Sequence, residues 1–234
     1  MLAGLSERGL DCMMKKALWL SIACLSCLWA GQAQATSIST LFNTGVDASG
    51  TVLADGTIGD PHYTLISVPG GLTDIRIRTS AGGYPIPPYS ADNTSSRWIG
   101  PNNDSILDGP LGTYRYQTTF DLTGLNPSTA SVTGNWATDN NGLHIVINGT
   151  SLGFTTSYTS FSDGFSPFTV NSAYLNGGVN TLWFDVNNGG GPTALRVQMI
   201  GTATPIAPVP EPASLLLLGS GLAGLAAWRL KKSA

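Results

Sequence analysis

Between residues 36 and 207 the apolar positions fall at every second residue, in short runs cut by Gly, Pro, Asn and Asp. A period of two puts successive side chains on opposite faces of a strand, and no segment here keeps a 3.6-residue period over a helix-length window. The alternation predicts strands over 62–67, 74–79, 113–122, 130–137, 143–147, 181–187 and 194–200. In the third, Tyr114, Tyr116, Thr118 and Phe120 share the face expected to pack inward, with Arg115, Gln117 and Thr119 on the other. Trp136 and Trp183 alternate with apolar neighbours and are expected in the core. Asn148-Gly149, directly after the fifth run, predicts a two-residue hairpin because both residues tolerate positive φ. Gly189-Gly190-Gly191-Pro192 predicts a hairpin connection between the last two runs. Short strands with frequent turn residues and no helix predict an all-β sandwich.

Both ends of the chain break this pattern. At the front, Lys15-Lys16 precede an apolar run over 17–30 and then Ala33-Gln34-Ala35, the order of a secretory signal peptide cleaved after Ala35. Glu7 and Asp11 are foreign to the basic start of such a peptide, so translation is expected to begin at Met13 or Met14. At the back, Pro205, Pro208, Pro210 and Pro212 precede an uncharged run over 213–228 and then Arg229, Lys231 and Lys232. At about 1.5 Å per residue that run reaches roughly 24 Å against a hydrocarbon core of about 30 Å. Extended to Leu230, with the basic side chains snorkelling, it predicts a transmembrane helix over 213–230 whose cations stay in the cytoplasm. The chain thus divides into a signal peptide, 1–35, an extracytoplasmic β-sandwich, 36–204, and a C-terminal segment, 205–234.

Val209-Pro210-Glu211-Pro212, the apolar run and the Arg-Leu-Lys-Lys end occur in the order of a known signal. Together they resemble the PEP-CTERM sorting signal of Gram-negative bacteria that make exopolysaccharide. The resemblance implies passage through the Sec translocon, removal of the front by signal peptidase, a transient hold in the inner membrane, and processing by an exosortase near Pro-Glu-Pro. It implies a destination at the cell surface or extracellular matrix. Within the domain, Tyr116 to Leu122, Gly134 to Asn140, Ile145 to Gly149, Ser166-Pro167-Phe168 and Leu175 to Leu182 follow one another in the order of the galactose-binding-domain-like jelly roll, which they resemble. That family includes both carbohydrate-binding members and structural modules without a ligand.

Composition narrows the chemistry. Residues 36–207 hold five arginines, eleven aspartates, and no Lys or Glu, so nucleic acid is not an expected partner. Cys12, Cys24 and Cys27 all precede Ala35, which leaves the exported chain without a thiol nucleophile, disulfide or cysteine-bound metal. His62 and His144 are the only histidines, and no nucleophile elbow or His-Glu-x-x-His run is present. Most aspartates stand beside Gly, Pro or Asn, as in Asp55-Gly56, Asp60-Pro61, Asp108-Gly109 and Asp163-Gly164, where they are expected to shape turns. A polysaccharide-acting hydrolase built on such carboxylates is the competing class.

Glycan binding asks for an exposed aromatic face with polar groups beside it. Tyr89 and Trp98, in a Pro/Ser-rich stretch, are the expected surface aromatics, with Asp139, Asn140 and Asn141 as polar partners and Asn187 and Asn188 beside them. Asp139 and Asn141 also offer oxygens to a calcium ion. The reading is a non-enzymatic surface or matrix protein associated with exopolysaccharide.

Overall fold

The computed structural model describes residues 34–71, 73–206, 218–222, 224, 225, 228 and 232. Of two contact units, 1–34 and 35–234, the described residues fall almost wholly in the second. Eleven strands carry the fold: β1 (Thr36–Ser37), β2 (Thr64–Ser67), β3 (Ile75–Arg78), β4 (Trp98–Pro101), β5 (Gly112–Asp121), β6 (Ser131–Asp139), β7 (Asn141–Ile147), β8 (Thr150–Ser151), β9 (Ser166–Val170), β10 (Val179–Asn188) and β11 (Ala194–Ala203). A single helical turn, α1 (Ser160–Asp163), precedes β9. The six-stranded sheet runs β3-β4-β11-β6-β9 with β1 added to β11, and the five-stranded sheet runs β2-β5-β10-β7-β8.

From β4 onward the strands distribute as 4-11-6-9 in one sheet and 5-10-7-8 in the other. This is the eight-stranded jelly roll, two Greek keys wrapped into a sandwich. All named pairings are antiparallel. Each of the seven strands expected from the alternation is present within a few residues. β1, β4, β8 and β9 are additional, because two residues, or four or five interrupted by Gly or Pro, give too little alternation to read.

The inner core follows the two-residue period. Tyr114, Tyr116, Thr118 and Phe120 of β5 are buried, as are Leu182, Phe184 and Val186 of β10 and Leu195, Val197 and Met199 of β11. Phe184 packs with Trp136 at 5.8 Å and with Phe168 at 5.9 Å between ring centroids. At roughly 1.5–3 kcal/mol for each fully buried large apolar side chain, these rings hold the two sheets face to face. The β7–β8 hairpin turns at Asn148 and Gly149, with φ of 49° and 83°, and pairs Ile147 with Thr150. A mirror-image turn fits the strand twist here, and only residues that tolerate positive φ can make it. Residues 189–193 are not the expected hairpin: they carry the chain from β10 in the five-stranded sheet to β11 in the six-stranded one, and the two strands do not pair.

Trp183 is not a core residue. It lies between inward-facing Leu182 and Phe184 and so points outward from β10, half-buried. The apolar neighbours that suggested burial are its flanking residues, which belong to the opposite face.

A second, smaller core sits outside the six-stranded sheet. Outward-facing Ala137 and Ala194 meet Ile86, Tyr89, Trp98 and Leu107, with Phe161 and Phe165 packed alongside. The Tyr89 ring lies 4.7 Å from Trp98 and 5.3 Å from Phe161. Segment 84–96 folds over the sheet to build this layer. Arg196, fully buried, ties it down: Nε donates to Ser96 Oγ at 2.8 Å, Nη1 to the carbonyls of Ala91 at 2.9 Å and Ser90 at 3.2 Å, and Nη2 to that of Ser96 at 3.1 Å. Burial pushes the Arg196 guanidinium down to about 10, still protonated at neutral pH.

Candidate functional site

The polar residues singled out from the sequence assemble at one end of the sandwich, where the β6–β7 corner meets the β10–β11 connection. Asp139 ends β6. Its Oδ2 accepts from the Tyr89 hydroxyl at 2.6 Å and its Oδ1 from Asn140 Nδ2 at 2.8 Å. Thr193 Oγ1 donates to the Asp139 carbonyl at 2.8 Å. The Asn140 amide donates to the Asn187 carbonyl at 3.0 Å, and Asn140 Oδ1 accepts from the Gly189 amide. Asn188 Nδ2 donates to the carbonyls of Gly109 at 2.8 Å and Pro110 at 3.2 Å, which brings the turn before β5 to the same end. Burial is the larger influence on the Asp139 carboxyl and pushes it up to about 6, against the two hydrogen bonds that favour its charge.

This arrangement corrects two expectations. Tyr89 and Trp98 are not surface aromatics: they are 3% and 0% exposed, because the Pro/Ser-rich stretch around them folds onto the sheet as the second core. Asp139, Asn140 and Asn188 are likewise buried and serve as scaffold, leaving Asn141 and Asn187, both half-buried, as the expected polar contacts with accessible side chains. Asp139, one of the two residues expected to offer oxygens to calcium, has both carboxylate oxygens accepting hydrogen bonds from the fold. Among the described residues no group of three His, Cys, Asp or Glu could hold a metal ion.

An aromatic does stand at this end, and it is Tyr158, 54% exposed. A Cβ placed on Gly189 would sit 3.7 Å from Tyr158 Cε2, and one on Gly190 3.8 Å from Leu111 Cδ2, itself 68% exposed. The glycine turn is therefore a low floor between Tyr158 and Leu111. Asn187 and Asn141 are register partners on β10 and β7 beside it, both half-buried, and their side-chain amides have no hydrogen bond among the described residues. A ring face, an apolar edge and two unpaired amides suit the apolar side and the hydroxyls of a sugar. Tyr158 carries little sequence signal, since it lies in a Ser/Thr-rich loop with no period; its nearness to Gly189 comes from the topology.

The other constellation lies on the outer face of the five-stranded sheet. Arg115 donates from Nε and Nη2 to the two oxygens of Asp185, both at 2.7 Å, and His144 Nε2 lies 3.4 Å from Asp185 Oδ2. The Arg115 guanidinium carbon is 4.6 Å from the Trp183 ring centre, and Trp183 Nε1 donates to Gln117 Oε1 at 2.9 Å. Asp185, though outward-pointing, is buried beneath these neighbours. Both carboxylate oxygens are held by one guanidinium in a bidentate pair.

Other aspartates are similarly occupied. Asp60 accepts from the amides of Gly45, His62 and Tyr63, and Asp55 pairs with Arg78 at 3.2 Å and caps Thr79. The His62 ring is stacked on Phe42 at 3.6 Å.

In the tail, the described residues Leu218, Leu222, Leu225 and Trp228 are helical and exposed, with Lys232 Nζ 5.2 Å from the Trp228 ring. Among the described residues no helix is long and apolar enough to cross a membrane. Val209, Pro210, Glu211, Pro212, Arg229, Lys231 and Ala33 lie outside the described residues, as does most of the expected span over 213–230; Ala35 is exposed.

Residues 208–232 match the PEP-CTERM protein-sorting motif. The motif implies export, with an exosortase as processing partner. No curated protein sequence matches the chain. Among solved structures, the chain is similar to CBM35 from Paenibacillus barcinonensis, at 21% identity over 62% of this chain and 98% of that one, with a TM-score of 0.34. It is also similar to the Stig cyclase Fisc from Fischerella sp. TAU, at 13% identity over 74% and 100%, TM-score 0.40. A third is the Podospora anserina GH26-CBM35 β-(1,4)-mannanase, at 14% identity over 76% and 28%, TM-score 0.28.

Proposed function

We propose that the chain is an exosortase-sorted protein of the cell surface or extracellular matrix whose β-sandwich is a non-enzymatic module associated with exopolysaccharide. The observation that carries the reading is the sorting motif over 208–232, set behind an all-β domain. In this reading the Sec translocon exports the chain, signal peptidase cuts after Ala35, and the 213–230 segment holds it in the inner membrane of a Gram-negative cell. Arg229, Lys231 and Lys232 keep the tip in the cytoplasm until the exosortase cuts near Pro-Glu-Pro. The module then meets the polysaccharide through Tyr158, Leu111, Asn141 and Asn187.

Support for a binding role comes from the carboxylates. Asp139, Asp185, Asp60 and Asp55 are engaged by donors of the fold itself, where a hydrolase would need a pair left free to exchange protons. The test is co-fractionation with the producer's own polysaccharide in cells with and without the exosortase. The protein is expected in the polysaccharide fraction only with the enzyme present, without release of new reducing ends; steady release of reducing ends would return the hydrolase reading.

A further inference from the structure

Away from the loop end, a cavity of about 440 Å³ opens on the outer face of the six-stranded sheet, over β9, β6 and β11. Strand register organises it as two rungs. One is Pro167–Asn135–Gln198 and the other Thr169–Thr133–Ile200, each reading from β9 across β6 to β11. Asn43 and Ser95 form a wall, fixed by Asn43 Nδ2 donating to the Ser95 carbonyl at 2.9 Å and by the Met199 amide donating to Asn43 Oδ1 at 2.7 Å. Gln198 is oriented by its own bond, Nε2 to Ser96 Oγ at 3.0 Å.

The lining has two properties that select a ligand. None of its residues is ionisable. The side chains of Thr133, Asn135 and Thr169 are exposed and make no hydrogen bond among the described residues, so hydroxyls and an amide face the cavity unpaired beside apolar Pro167 and Ile200. The volume lies within the roughly 300–1,000 Å³ of ligand sites. A uronate or sulfate would find no cation here, in a domain that carries eleven aspartates against five arginines. Uncharged hydroxyls would meet donors and acceptors of matching strength.

We propose that this trough is a second glycan-contact site, taking a segment of neutral polysaccharide laid across the two rungs. The inference rests on the polysaccharide-association reading and adds a place and a ligand class to it. The test is affinity electrophoresis of the full chain, solubilised in mild detergent, through gels containing galactomannan, β-glucan, alginate or the producer's own polysaccharide. A neutral polymer should retard the protein and alginate should not. The double variant Thr133→Ala, Asn135→Ala should weaken that retardation about fivefold to tenfold through lost hydrogen bonds, and Ile200→Arg, which hangs a long cation over the trough, should abolish most of it. All three positions are exposed, so melting should be unchanged and the loss assigned to binding. Retardation that survives both variants would remove the trough and leave the association standing. Retardation by alginate alone would overturn the neutral class, and none by any polymer would overturn the association itself.

Discussion

The two cores of this domain are built from different material. Between the sheets, rings and branched side chains at alternate strand positions pack against one another, and polar atoms trapped there, Tyr116 Oη and Trp136 Nε1, have no hydrogen-bond partner among the described residues. Outside the six-stranded sheet, loop residues build a layer in which Arg196, Asp139 and Tyr89 are buried with specific partners. The first core tolerates orphan polar atoms because apolar burial around them is extensive. The second is small, so its hydrogen bonds determine how segment 84–96 and the loop end are placed.

The contrast is broken most directly at Arg196. Replacing it with Met keeps much of the packing volume but leaves the Ala91 carbonyl without its side-chain donor and removes one of two from the carbonyls of Ser90 and Ser96, which Trp98 Nε1 and Arg97 Nη1 also reach. The expected loss is about 2 kcal/mol, read as a fall in the urea midpoint, with a melting shift of roughly 2–4 °C per kcal/mol for a domain of this size. A loss below about 1 kcal/mol would mean the layer is held by its rings alone.

Asp139 gives the second core a pH signature. Its folded value of about 6 lies above the ordinary 3.8, so between about pH 4 and pH 6 the folded chain holds this proton more tightly than the unfolded one. Stability from this group is therefore full in acid and falls as pH rises through that window, by roughly 1–3 kcal/mol. Asp60, also raised by burial, contributes in the same direction. Asp47 and Asp121, held low mainly by the hydroxyls of Ser49 and Thr123, contribute in the opposite direction, with stability lost at still lower pH. Denaturation midpoints measured from pH 4 to 7 should show the fall, and Asp139→Asn should flatten it; an unaltered slope in that variant would contradict the assignment.

The smallest effect is expected in the inner core. Tyr116→Phe removes a buried hydroxyl that has no partner among the described residues and should be neutral or stabilising by up to about 1 kcal/mol in the same assay. A destabilisation of comparable size would show that the hydroxyl is bonded after all.

The same contrast explains how far the sequence could be read. The inner core announces itself through Tyr114, Tyr116 and Phe120 because a strand's two-residue period is local. The outer layer has no such period: Tyr89 and Trp98 stand among prolines and serines, and only the folding of that stretch onto Ala137 and Ala194 buries them. Trp183 misleads in the reverse sense, since alternation alone does not say which of two faces is inside. At the loop end Asn141 and Asn187 were legible as polar strand ends, whereas Tyr158 and Leu111 reach the glycine turn by topology. The sorting motif needed no fold to be seen, because order along the chain is itself the signal.

On the proposed reading, cleavage in the tail releases the exported domain to the cell surface or matrix. Intact-mass spectrometry of the protein recovered from the polysaccharide fraction tests it most directly. The account predicts a chain that starts at Thr36 and ends near Pro210-Glu211-Pro212, without Leu215 to Lys232. A surface protein that retains those residues through Lys232 would contradict it.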